Sequence, residues 1–158
     1  MQPRLNFANA APAAIRTMNG LEAYLRKSSG LEPSLMELVR LQSSQMNGCA
    51  YCIDMHTKEA RAADETEQRL YTVSAWRETP FFTERERAAL LWAEHITVIS
   101  QEHVPDAVYE QVTQHFTGEE LVNLTLAAVV INGWNRLAIA FRAVPGEYQP
   151  SQAAAVKA

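Results

Sequence analysis

The residues best able to do chemistry lie close together, in the stretch SSQMNGCAYCIDMHTKEAR at positions 43–61. Cys49 and Cys52 are the 2 cysteines of the chain and stand at C-x-x-C spacing, and His56 follows one helical turn later. On a helix each residue advances about 100°, so Cys52 sits about −60° from Cys49 and His56 about 40° from Cys52. All three side chains then share one face. Cys49 falls in the first turn, where unpaired N–H groups and the positive end of the helix dipole favour a thiolate. Cys52 has His56 within reach for proton transfer. A thiolate made this way is the reactive species in both disulfide exchange and peroxide reduction.

Other readings compete with a redox dithiol. Two cysteines on the apolar face of a helix can be small buried hydrophobes and nothing more. A zinc site would have three ligands in Cys49, Cys52 and His56, whereas a closed structural site takes four, and His95, His103 and His115 lie on separate segments. No metal is therefore expected. A thioredoxin-type C-x-x-C follows a strand, and none precedes this one. As a structural staple the pair would do little, because a disulfide across so short a loop removes little entropy from the unfolded chain. A redox-active dithiol in a helical protein is the favoured reading.

Such chemistry needs a proton acceptor and donor beyond His56. In the preceding segment, PSLMELVRLQSS, Glu37 stands among Leu35, Leu38, Val39 and Leu41. A turn at Asn47–Gly48 would bring it alongside the face of Cys52 and His56. In apolar surroundings its pKa is expected to rise, as suits a proton shuttle.

The elements that must hold these residues are all helical. Nearly every segment has helical period, and none shows the strict alternation of a half-buried strand. Helices are expected at about 10–26, from Pro33 to about 45, from Cys49 to about 63, and briefly over 67–74. Thr83–Glu86 and Thr117–Glu120 are capping boxes that open two more, the second running to about Arg142. Pro105 opens another, ending near Phe116. The expectation is an all-α domain of about six to seven helices over residues 1–145, with 146–158 as a flexible tail. Ala127, Ala128 and Gly133 allow close packing of the last helix. That many apolar faces suggests a homo-oligomer.

Composition excludes several partners. The net charge of −4 argues against nucleic acid and against an anionic membrane surface. The apolar run LTLAAVVI is too short to span a bilayer, and its continuation carries Asn132, Asn135 and Arg136. The opening MQPRLNFANAAPAAI lacks the charged and apolar regions of a secretory signal, so a cytoplasmic location is expected by default.

Glu37, Cys49, Cys52 and His56 together spell E-x11-C-x2-C-x3-H, which resembles the AhpD-like alkylhydroperoxidases of the carboxymuconolactone decarboxylase superfamily. The segments FTERERAALLWAE and LVNLTLAAVVINGWNRLAIAFR are similar to that family's later helices. The resemblance implies an all-helical, oligomeric peroxidase with no haem or metal cofactor. It implies that Cys52 attacks the peroxide, that Glu37 draws off its proton through His56 and a water, and that Cys49 resolves the sulfenic acid as a disulfide. An external dithiol, in the family a lipoyl-bearing protein, restores both thiols. Helix-dipole reasoning alone favours Cys49 as the lower-pKa thiol; the proton relay favours Cys52, and the relay is taken to decide. The family's best-known members have a histidine where this chain has Tyr51. Tyr51, Trp134 and Asn132 are expected to line the substrate pocket. Two other functions stay open: a lactone-decarboxylase-like enzyme acting on carbon acids, which needs no dithiol, and a disulfide-exchange or redox-sensor protein with little turnover of its own.

Overall fold

Residues 2–150 are described by the computed structural model. Among them the chain forms nine α-helices and one 3-10 helix, and no strand. In chain order these are α1 (Phe7–Ala10), α2 (Pro12–Ser28), α3 (Pro33–Asn47), α4 (Ala50–Ala62), α5 (Glu67–Thr72), the 3-10 helix Val73–Glu78, α6 (Glu84–Thr97), α7 (Ile99–Glu102), α8 (Asp106–Val112) and α9 (Gly118–Phe141).

Local chemistry sets most of these boundaries. Thr83 and Glu86 form a complete capping box at the start of α6, and Thr117 and Glu120 do the same for α9. Pro33 occupies the first turn of α3, where its missing N–H costs nothing. Gly48 ends that helix in the left-handed conformation (φ 68°), with its N–H returned to Ser44 and Gln45 carbonyls. Where the expected helix over 10–26 differs, the backbone explains it: Ala11 leaves helical geometry (φ −137°) just ahead of Pro12, splitting off the single turn of α1. The expected helix to Phe116 stops at Val112, the end of α8. The expected tail starts at 146. Its residues 146–150 lie along α4, where Lys58 Nζ donates to the carbonyls of Gly146 and Tyr148, and the Tyr148 hydroxyl donates to Glu59. Residues 151–158 of that expected tail lie outside the described residues.

Helix α3 is the hub. It packs against α4, α6 and α9, and its stretch from Leu35 to Ser44 is buried without interruption. Helix α9 has the length and apolar composition of a membrane-spanning helix. It runs along the core, against α2, α3, α4 and α6. Leu25, Val39, Trp92, Leu124 and Ala128 belong to the largest apolar cluster, where α2, α3, α6 and α9 meet. At Gly133 the approach of α2 is so close that a Cβ would lie 3.2 Å from Met18 Cε. A second cluster, containing Leu38, Leu41, Val73, Trp76 and Phe82, packs the 3-10 helix beneath α3. A third is small and consists of Cys49, Cys52, Ile131 and Ala138.

Leu124 is 0 % exposed in the centre of this arrangement. Leu124→Ala is expected to lower the unfolding free energy by about 2–5 kcal/mol, the range for a buried leucine that leaves a cavity. Denaturant unfolding measures this, and a loss below about 1 kcal/mol would contradict the central position of α9.

Candidate active site

The turn between α3 and α4 places both cysteines. Gly48 reverses the chain, and Cys49 becomes the N-cap of α4, its Sγ accepting a hydrogen bond from the Cys52 N–H at 3.3 Å. Cys49 and Cys52 are joined by a disulfide, with Cα atoms 5.3 Å apart. Each residue is 1 % exposed. Chain reversal also lays α4 along α3, so that His56, one turn past Cys52, meets Glu37.

His56 Nδ1 lies 2.8 Å from Glu37 Oε2. The other carboxylate oxygen accepts from Arg40 Nη1 at 2.6 Å, and Arg26 Nη2 stands 3.8 Å from it. Arg40 extends the chain of ions by donating its Nη2 to Glu22 Oε2 at 2.8 Å. Glu37, Arg40 and His56 are all buried. The expected rise in the Glu37 pKa is overturned. Burial does push the carboxyl up, but the His56 hydrogen bond and the charges of His56, Arg40 and Arg26 outweigh it and hold the pKa at about 2. Glu37 is therefore a standing carboxylate that only accepts. It accepts the Nδ1–H of His56, and Nε2 is the ring nitrogen turned away from it. That Nε2 is buried and makes no hydrogen bond within the protein.

Cys52 and His56 line one cavity of about 330 Å³, together with Tyr51, Met55 and Trp134. Phe7, Asn19, Glu22 and Arg26 complete its wall from α1 and α2. Cys49 borders a different, more open cavity beside Ile139, Ala143 and Val144. The disulfide thus lies between two cavities, with Tyr51 and Ala138 common to both.

Of the residues singled out in the sequence, Glu37, Cys49, Cys52 and His56 come together, and Tyr51 and Trp134 line the cavity. Asn132 does not. Its Nδ2 donates to Thr97 Oγ1 (3.1 Å) and its Oδ1 accepts from Asn47 Nδ2 (2.9 Å). Asn47 also donates to Asn135 Oδ1 (2.8 Å), whose own Nδ2 donates to Ser44 Oγ (3.1 Å). This buried polar network pins the end of α3 to α6 and α9 just ahead of the cysteine turn. Arg40, Glu22 and Arg26 were not anticipated. Arg40 had a signal, an opposite charge three residues after Glu37 inside an apolar run; the two residues from α2 had none.

Helical packing, a C-x-x-C disulfide at a helix start and a buried glutamate–histidine pair define a protein of the AhpD-like fold. A crystal structure of ATU0492 from Agrobacterium tumefaciens, a protein of unknown function associated by name with the antioxidant defence protein AhpD, matches with a TM-score of 0.89 at 42% identity. The match covers 93% of this chain and 100% of that one. The AhpD core of a peroxidase-related protein from Ralstonia eutropha JMP134 matches with a TM-score of 0.78 at 23% identity, over 89% of this chain and 75% of that one, a likeness of fold alone. Residues 12–95 match the model of the carboxymuconolactone decarboxylase family. The uncharacterized Bacillus subtilis protein YdfG is 44% identical over 140 residues, 89% of this chain and 95% of its own. The chain belongs to the carboxymuconolactone decarboxylase family.

Because the Glu37 pKa is about 2 when folded and 4.5 in its ordinary state, its ionisation stabilises the fold fully above the ordinary value. That stabilisation drains away as pH falls from there towards the folded value. Urea midpoints measured between about pH 6 and pH 2.5 should fall steeply for the wild type, with that component of the slope missing in Glu37→Gln. Parallel pH profiles for the two proteins would contradict the assignment.

Proposed function

We propose that this protein is a thiol peroxidase that reduces hydrogen peroxide or small organic hydroperoxides through a Cys49–Cys52 dithiol–disulfide cycle. One observation carries the reading: His56, tied through Nδ1 to Glu37 and with its buried Nε2 unbonded within the protein, lines the same cavity as Cys52. With the disulfide reduced, His56 accepts the Cys52 thiol proton, and the thiolate attacks the nearer oxygen of the peroxide. The O–O bond breaks, its electron pair leaves with the distal oxygen, and imidazolium returns the proton to give water or an alcohol. Cys52 is left as a sulfenic acid. The Cys49 thiol displaces its hydroxyl, forming the disulfide and releasing water.

Regeneration needs two electrons and two protons from outside, since the chain has 2 cysteines in all. A dithiol of the lipoyl type, carried on another protein, suits this step because it closes on itself after attack. We place the activity in the cytoplasm, where such reductants turn over. A homo-oligomer fits the exposed Val122 and Val129 of α9. Tyr51 on the cavity wall, in place of a histidine, favours a second reading as a disulfide-exchange protein that turns over little peroxide.

Mixing the pre-reduced protein with cumene hydroperoxide in a stopped-flow instrument, with thiols counted before and after, tests the proposal. Rapid loss of two thiols per chain is expected, with none in Cys52→Ser. Glu37→Gln should slow the reaction about a hundredfold, within the usual range for general acid–base assistance. Disulfide exchange alone would survive that change nearly intact. Thiols that stay reduced sink the peroxidase reading.

A further inference from the structure

Arg40 is an expensive residue to place inside this fold. Its side chain is 1 % exposed and ranks among the largest fully buried side chains. Bringing a guanidinium out of water is costly, and apolar side chains of similar size commonly do as well or better for stability. The hub helix already packs on three neighbours through leucine, valine and methionine. What Arg40 does that no apolar residue could is grip two carboxylates with separate nitrogens, Glu37 Oε1 at 2.6 Å and Glu22 Oε2 at 2.8 Å. The planar fork fixes the direction of both contacts. One oxygen of Glu37 is thereby committed, and the other is left facing His56.

We infer that Arg40, braced by Glu22, is a positioning residue that sets the tautomer of His56 by holding Glu37 as an oriented carboxylate. The inference rests on the reading of Cys52 and His56 as the reacting pair. Its logic is a reversal of hydrogen-bond direction. An ionised Glu37 accepts from Nδ1–H, so Nε2 is a base. Without Arg40, the burial that pushes Glu37 up is less opposed, and the carboxyl regains a proton as pH falls. A protonated Oε2 donates to Nδ1, the ring hydrogen moves to Nε2, and the imidazole presents a donor where a base is needed.

Other groups around Glu37 do not replace this hold. Arg26 is half in solvent and lies beyond hydrogen-bond distance at 3.8 Å. On its far side Glu37 borders a cavity lined also by Glu59, Asp64 and Glu65, and it acts by charge on Tyr148. Those three are carboxylates and supply no cation that could stand in for Arg40. Arg40 is the one buried guanidinium in direct contact with it among the described residues.

The test uses reduced, 15N-histidine-labelled protein. The imidazole nitrogens of His56 are followed by NMR from about pH 5 to 8, and Cys52 alkylation by iodoacetamide is timed over the same range. The wild type is expected to show the Nδ1–H form wherever the ring is neutral. Arg40→Gln should show a mixture or the reverse form, alkylate Cys52 about tenfold more slowly near neutrality, and have its acid limb displaced to higher pH than the wild type's. Arg40→Lys keeps the charge but loses the fork, and should fall between, about threefold slow. Wild-type histidine signals and an unchanged alkylation profile in either folded variant overturn the inference. If Arg40→Gln does not fold, Arg40→Lys decides. Alkylation needs no peroxide, so failure of the peroxidase reading would show separately, in intact tautomer control without hydroperoxide turnover.

Discussion

A carboxylate buried between two helices is the constraint on which the remainder of this molecule turns. Glu37 sits in the most enclosed stretch of the hub helix, where an uncompensated negative charge would be costly. The structure meets that cost from three directions. Arg40 comes from the same helix, Arg26 from α2 and His56 from α4. Each compensating contact also fixes a geometry. Holding Arg40 requires Glu22, which draws α2 towards α3. Holding His56 sets the register of α4, and with it the place of Cys52 one turn earlier and of Cys49 at the helix start.

The cysteine turn is held from the other side by amides and hydroxyls. Asn47 donates to both Asn132 and Asn135, which in turn donate to Thr97 and Ser44, in a largely buried set. A network satisfied in this way tolerates little displacement, because any shift leaves a polar group unpaired in an apolar interior. Between the ionic anchor at Glu37 and this amide anchor at Asn47, the last turns of α3 have little freedom, and the cysteines that follow inherit that rigidity. Sites built on such elements keep their reacting groups in place without help from mobile loops.

Much of this was legible in the sequence, for identifiable reasons. Offsets of three and four residues along a helix put Cys49, Cys52 and His56 on one face by arithmetic. Capping boxes and Pro33 marked helix starts because their chemistry is local. Glu37 stood out among apolar neighbours ahead of the Asn47–Gly48 turn, and the family resemblance gave it the same place beside His56. The sign of the Glu37 pKa shift was misjudged because apolar neighbours in sequence suggested an apolar site. The groups that decide the matter lie across the helix interface, at His56, one turn on, at Arg40, and on α2, at Arg26. That Asn132 meets Thr97 and Asn47 was not legible, because spacing on a long buried helix does not say which face meets a cavity and which meets another helix. The break at Ala11 and the split after Thr97 depend on single backbone angles that periodicity does not resolve.

The sulfur of Cys49 is at once one half of the disulfide and the cap of α4. A thiolate is a stronger acceptor for the Cys52 N–H than a disulfide sulfur, because an ionised partner makes a shorter and stronger bond. Electron count and helix start are therefore thermodynamically linked. Whatever tightens the first turn of α4 favours the reduced pair, and whatever frays it favours the oxidised one. The start of the helix and the state of the disulfide are coupled, and changes at the beginning of one helix reach that bond without touching either cysteine.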